Sequence, residues 1–307
     1  MKIAKGAWPV NLTALNEDGS LDFKGNQDMT NWYIKNGAAG LFTVCTSGEM
    51  FYLNEDQRLD LAKCVVEAAA GRVPVIASGS VSMEVNKEID EIGRMAETGI
   101  DAVVLLTNGL AGLEDGFDVF KKNLDAILAA HPEVRFAAYE CPTPYKRLLT
   151  DEEIKYLAST GRIEFLKDVS VNVDTYARRA ELVKGTNLML FNATPGTMLK
   201  AFQLGYDGYC GPMANYHPDL CQWMYENFAK EPEKATKLQA WETMIYTAAI
   251  GAYPMNAKEK MAKEGCECIP FSYYRDMAVY TPIEKDFVNF ISEQENMMRK
   301  YLGIITK

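Results

Sequence analysis

Histidine is scarce in this chain of 307 residues. There are two, His131 and His217, and neither a Cys-x-x-Cys nor a His-Glu-x-x-His spacing occurs. A catalytic transition-metal site built from nitrogen and sulfur donors is therefore not expected. The seven cysteines are scattered, with Cys266 and Cys268 the closest pair. That is no disulfide framework in a chain of this length, and free thiols point to a reducing compartment. Basic runs are also missing: none is longer than Tyr145-Lys146-Arg147, and the formal net charge is −10. Nucleic acid is excluded as a partner on that ground. No stretch of 18 apolar residues exists, so no membrane span is expected. Lys5 and Pro9 interrupt the N-terminal segment, which does not read as a signal peptide. The resulting expectation is a cytoplasmic protein without a P-loop or a dinucleotide fingerprint, since Gly109, Gly112 and Gly116 are wrongly spaced and flank Glu114 and Asp115.

What is present is a repeat of short apolar runs separated by longer helical patterns. Candidate strands are Trp8–Leu12, Gly40–Val44, Val75–Ser78, Ala102–Leu106, Phe136–Tyr139, Glu164–Asp168, Asn187–Phe191 and Tyr206–Cys210. Each interval between them has room for a helix, and strands that are apolar throughout indicate a parallel sheet covered on both faces. Eight repeats favour a closed α/β barrel, the (β/α)8 or TIM-barrel architecture. Asn54 with Gln57, and Thr150 with Glu153, read as capping boxes, and Asn16–Ser20 reads as a turn. Beyond about residue 218 the strand pattern stops. Pro232, Pro254, Pro270 and Pro282 punctuate a helical tail. The division expected is a catalytic barrel over 1–230 and a C-terminal helical extension over 231–307.

In such a barrel, chemistry gathers where the strands end. The second strand runs out into Cys45-Thr46-Ser47-Gly48-Glu49, the fifth into Tyr139-Glu140-Cys141-Pro142, and the sixth into Lys167-Asp168. A lysine closing an apolar strand loses water, which favours the neutral amine, and a neutral amine attacks ketones to form imines. Alternation puts Phe165 on the same face. The plain alternative is a lysine stretched to solvent and paired with Asp168. Thr46, Ser47 and the amides near Gly48 can hold a carboxylate, or simply form a turn; Glu49 can bond backbone amides. Tyr139 can relay protons, or be a packed tyrosine. His217 reads as a surface residue, as do the charges of Lys146 and Arg147.

Together these segments resemble the dihydrodipicolinate synthase / N-acetylneuraminate lyase family. The likeness rests on Gly6-Ala7-Trp8-Pro9 through Asp18-Gly19-Ser20, on Thr46-Ser47-Gly48-Glu49 with Leu53 and Arg58, and on Tyr139-x-x-Pro142. It continues in Phe165-Leu166-Lys167-Asp168 and in Gly205 through Asn215. The resemblance implies a lyase of the class I aldolase type, with an imine on Lys167 and a proton relay through Tyr139. Thr46, Ser47 and Gly48 would hold the carboxylate of pyruvate or another 2-oxo acid, with Asn192 and Cys210 also at the substrate. No cofactor or metal is implied, and a homotetramer is. Two departures matter: Pro144 stands where the synthase carries an arginine, and Leu106–Gly112 lacks the synthase's tyrosine. A rewired synthase and a non-catalytic 2-oxo-acid-binding barrel stay open as alternatives. The sequence does not distinguish aldol cleavage from dehydration.

Overall fold

The computed structural model describes residues 1–304. Strands and helices alternate as β1 (Gly6–Ala7), α1 (Phe23–Lys35), β2 (Leu41–Thr43), α2 (Glu55–Ala69), β3 (Val75–Ser78), α3 (Val85–Ala96), β4 (Ala102–Leu106), a short α4 (Thr107–Leu110), α5 (Phe117–Ala130), β5 (Phe136–Tyr139), α6 (Asp151–Ser159), β6 (Ile163–Asp168), α7 (Val173–Leu182), β7 (Met189–Asn192), α8 (Met198–Gln203), β8 (Gly208–Tyr209) and α9 (Pro218–Asn227). All pairings are parallel, in the order β1-β8-β7-β6-β5-β4-β3-β2. A parallel bridge between Val10 and Phe42 closes the ring, and Asn11 N–H donates to the Phe42 carbonyl at 2.8 Å. The fold is a (β/α)8 barrel. The first strand, Gly6–Ala7, precedes the apolar run Trp8–Leu12 instead of occupying it, because the chain over that run divides its bonds between two neighbours. Trp8 N–H still donates to Tyr209 on β8, whereas Val10 already pairs with β2, and Pro9 has no N–H to give.

Local signals account for the entry and exit of the helices. Asn54 and Thr150 both form reciprocal capping boxes, with Gln57 and Glu153 respectively. The turn over 16–19 closes through Gly19 N–H to the Asn16 carbonyl, and Gly19 takes φ 82°. A side chain there would also collide with the hydroxyl of Tyr273. The barrel floor is filled by Trp8, Phe165 and Phe191; the last two stack with centroids 3.9 Å apart, and Trp8 lies 5.2 Å from Phe165.

The tail adds α10 (Pro232–Ala249), α11 (Met255–Lys263) and α12 (Pro282–Leu302), with proline at the first position of α10 and α12. Proline there forfeits no hydrogen bond. Tyr253, Met261 and Ile291 belong to the same buried cluster as the barrel strands, so the extension and the barrel share one core.

Those tail helices also correct the reading of His217. It is fully buried, with Nδ1 3.0 Å from Glu295 and Nε2 3.0 Å from Glu242. Glu295 further accepts from Lys260 at 3.1 Å and Arg299 at 3.2 Å. The donor atoms of His217, Cys221 and Glu242 lie within 4.8 Å of one another, but both ring nitrogens already face carboxylates, and Lys260 and Arg299 supply further counter-charge. Burial alone would lower the His217 pKa; Glu242 and Glu295 outweigh it and push it up to about 9. A raised folded-state pKa means that the stabilisation is complete below about 6.5 and is lost as pH climbs towards 9. Denaturant midpoints are expected to fall across that window, by a few kcal/mol in unfolding free energy. His217→Gln should flatten the profile, and an equally steep slope in the variant would count against the assignment.

Candidate active site

Strand register decides which side chains meet inside the barrel. Tyr139 pairs with Lys167 and Lys167 with Phe191, so these positions share the inner face. Lys167 is 5% exposed. Its ammonium nitrogen lies 4.4 Å from the centroid of the Tyr139 ring and 5.5 Å from that of Phe42. Asp168 does not pair with it. That carboxylate points the other way, to Arg179 at 2.6 Å and the Tyr206 hydroxyl at 2.5 Å. Among the described residues no carboxylate forms an ion pair with Lys167.

Tyr139 lies beside Lys167 with its ring edge-on to Phe42. Its hydroxyl is 3.3 Å from Thr46 Oγ1, which is 3.6 Å from Cys141 Sγ. Burial, with a smaller contribution from Cys141, holds the Tyr139 pKa well above the usual range. The phenol therefore stays protonated and can donate a hydrogen bond. Cys45 and Cys210 complete the surround. Burial raises both thiol pKa values, Cys210 to about 12, while the nearby Lys167 opposes the rise. Cys45 reaches this position through Val44, which adopts φ 46°. A β-branched residue in the left-handed region is strained, and here it breaks the strand's alternation just before Thr46 and Ser47. Those two hydroxyls are half-buried. Gly48 leaves no room for a side chain, because a Cβ would lie 2.7 Å from the Asn11 carbonyl oxygen.

Glu49 does bond backbone amides, but not those of its own turn. It accepts from Tyr273 N–H at 2.6 Å and Tyr274 N–H at 3.0 Å, from Ser272 Oγ at 2.9 Å, and from the buried Lys258 at 3.1 Å. The tail is thus tied to the turn that carries Thr46 and Ser47. Tyr253, also from the tail, is buried next to the barrel: its hydroxyl accepts from Asn215 Nδ2 at 2.6 Å, and Asn215 Nδ2 also donates to the Val10 carbonyl at 2.9 Å. No local motif marks Tyr253 in the sequence. Only the fold of α10 and α11 over the barrel brings it there.

Asn192 is not brought to Lys167. It is in register with Asp168, on the outer face, where its amide donates to Tyr176 Oη at 3.0 Å and Thr197 Oγ1 at 3.1 Å. On the same outer face, Arg179 grips Glu140 at 2.5 and 2.9 Å as well as Asp168. Glu140 follows Tyr139 and Asp168 follows Lys167, so one guanidinium holds both strand ends from behind. Arg147 is likewise not a solvated charge. It is buried, pairs with Glu153 at 2.5 Å and donates to the Gly112 carbonyl, whereas Lys146 is exposed. The segment that lacks a tyrosine is fastened by Asn108, whose amide donates to the carbonyls of Cys141, Thr143 and Tyr145.

An eight-stranded parallel barrel with a lysine, a tyrosine and two hydroxyls at one end of its bore defines a class of barrel lyases. A sequence model of the dihydrodipicolinate synthetase family matches residues 4–271. The chain belongs to that family, whose members are lyases. A 4-hydroxy-tetrahydrodipicolinate synthase of Thiobacillus denitrificans is 27% identical over 270 residues, 85% of this chain and 88% of its own. A dihydrodipicolinate synthase structure from Bacillus anthracis superposes over 100% of both chains with a TM-score of 0.84 and 21% identity. An N-acetylneuraminate lyase from Fusobacterium nucleatum, complexed with pyruvate, gives a TM-score of 0.83 at 16% identity over 95% of this chain and 97% of that one. Among the described residues no helix is long and apolar enough to cross a membrane.

Proposed function

We propose that this protein is a class I Schiff-base lyase acting on pyruvate or a related 2-oxo acid through Lys167. The observation that carries the reading is the placement of Lys167 Nζ, sunk among Tyr139, Phe42, Cys45 and Cys210 without a counter-ion among the described residues. The amine attacks the ketone carbon, and water leaves to give the imine. Loss of a proton from the adjacent carbon then gives an enamine, which makes or breaks the next bond. Tyr139, coupled to Thr46, carries protons to and from the departing oxygen. Thr46 and Ser47 bind the carboxylate. Asn192 supports β7 from outside, and Cys210 lines the wall beside the amine as a neutral thiol. Cleavage, dehydration and condensation with an aldehyde all run through the same enamine. The wall built by Asn108, Pro144 and Tyr145, in place of an arginine and a tyrosine, favours a second substrate other than the synthase's.

The test is incubation with pyruvate and borohydride, followed by intact-mass and peptide mass spectrometry. The expected result is a reduced pyruvyl adduct on Lys167 that is absent from Lys167→Ala. Absence of any adduct with pyruvate and with longer 2-oxo acids would overturn the proposal in favour of a non-catalytic barrel.

A further inference from the structure

The Thr46 hydroxyl has a neighbour on each side. Its oxygen lies 3.3 Å from Tyr139 Oη and 3.6 Å from Cys141 Sγ. Cys141 is free and fully buried. Glu140 turns outward to Arg179, and Cys141 comes back to the side on which Tyr139 meets Thr46. The backbone of Cys141 is held at both ends. Its N–H donates to the Tyr139 carbonyl at 2.8 Å, and its carbonyl accepts from Asn108 Nδ2 at 3.1 Å. Cys45 gives its own hydrogen to the Asn11 carbonyl, 3.7 Å away. Among the described residues Cys141 is thus the thiol that meets a hydroxyl of the relay.

We infer that Cys141 is a positioning residue that sets the direction of a hydrogen-bond chain running from Cys141 to Thr46, to Tyr139 and on to the substrate oxygen. The role rests on the Schiff-base reading of Lys167. A thiol sulfur accepts only weakly, whereas a phenol oxygen accepts well. The Thr46 hydrogen therefore goes to Tyr139 Oη and not to sulfur. The Cys141 hydrogen goes to Thr46 Oγ1, its one hydrogen-bond partner among the described residues. Tyr139 Oη likewise bonds only Thr46 among them. With Thr46 donating to it, the phenol keeps its own hydrogen for the oxygen of the 2-oxo acid. Without the thiol, Thr46 Oγ1 is open to take that hydrogen, and the phenol is turned away from its task. Bonds that all point one way also polarise each other. As the Lys167 amine adds to the ketone carbon, the C–N bond forms and the carbonyl pair moves onto oxygen. Tyr139 gives that oxygen its proton, the Thr46 hydrogen holds the resulting tyrosinate, and a proton from the nitrogen restores the phenol. Thr46 then meets the carboxylate through its main-chain N–H, beside Ser47.

Two readouts on the full chain test this. Deuterium exchange into the pyruvate methyl group, followed by NMR in heavy water with Lys167→Ala as the baseline, reports enamine turnover without a second substrate. Cys141→Ala should lower that turnover roughly three- to tenfold, the range of one weak hydrogen bond. The KM for pyruvate should stay within about twofold, because the lost interaction serves the transition state and not binding. Cys141→Ser keeps a donor and should recover most of the loss; melting temperatures check that both variants fold. The second readout is the S–H stretch in the infrared difference between wild type and Cys141→Ala. It should lie at the lowered frequency of a donating thiol and move up in Thr46→Val. A band at the frequency of a free thiol would overturn the inference. So would a Cys141→Ser enzyme as slow as Cys141→Ala, which would assign the effect to packing. Wild type that exchanges pyruvate no faster than Cys141→Ala would sink this role alone. Wild type that neither exchanges nor traps pyruvate would sink the Lys167 reading, and this role with it.

Discussion

Tyr139→Phe is expected to lower kcat by about 10²–10⁴, the usual contribution of a positioned acid–base group. The KM for the 2-oxo acid should shift by no more than a few fold. The variant keeps the ring that packs 4.4 Å from Lys167 Nζ and edge-on to Phe42, so the lysine keeps its surroundings. What disappears is the hydroxyl 3.3 Å from Thr46 Oγ1. Imine formation needs a proton delivered to the oxygen that leaves as water. Borohydride trapping should therefore still label Lys167, but more slowly. Thr46→Val provides the companion measurement. If Thr46 both completes the relay and binds carboxylate, its loss should raise KM as well as lower kcat. A Tyr139→Phe enzyme with kcat within threefold of wild type would remove Tyr139 from the proton path.

The second large effect is expected on the outer side of the same strands. Arg179→Met leaves Glu140 and Asp168, both fully buried, without their shared counter-charge. Breaking a buried ion pair from one side costs about 3–5 kcal/mol, and that loss corresponds to a fall in melting temperature of roughly 10 °C. The pH dependence gives the cause away. Burial holds the Glu140 carboxyl above its ordinary pKa even with Arg179 pulling it down, and removing the arginine lets it rise further. An acid with a raised folded-state pKa destabilises as pH climbs from its unfolded value, near 4.5, through the folded one. The variant should therefore lie closer to wild type at pH 5 than at pH 8. Arg179→Lys should recover only part of the loss, because a single ammonium cannot fork between two carboxylates. An equal deficit at both pH values would show that the side chain matters for packing rather than charge.

The strands were legible in the sequence because a sheet covered on both faces writes its strands as unbroken apolar runs. Three of them, Val75–Ser78, Ala102–Leu106 and Phe136–Tyr139, coincide with the structure. That Lys167, Tyr139 and Thr46 lie close together was legible for a related reason, since the ends of barrel strands converge whatever the loops do. Asn192 was misplaced by parity. If Lys167 faces inward then Asp168 faces outward, and a seventh strand ending at Asn192 rather than Phe191 puts Asn192 outward too. Cys45 could not be oriented by alternation, because Val44 leaves the extended conformation. His217 and Tyr253 were hidden by distance: their partners lie on other elements, some of them far along the chain. Arg147 differs, since its partner Glu153 is six residues on, but nothing in the sequence says that the loop between folds back and buries the pair.

Under the proposed reading, the tether from Glu49 to residues 272–274 gives the helical tail a say in what the barrel accepts. The lysine and tyrosine sit on strands whose geometry eight-fold closure fixes, while the turn of Thr46 and Ser47 is held by a segment outside that ring. Changes of length or sequence around residues 253–275 can therefore retune the substrate's fit and leave the imine chemistry alone. Within such a scaffold, new preferences can arise in the tail without passing through a broken barrel. By the same logic, grafting a relative's strands onto this chain without the matching tail would transplant the reaction and not its selectivity.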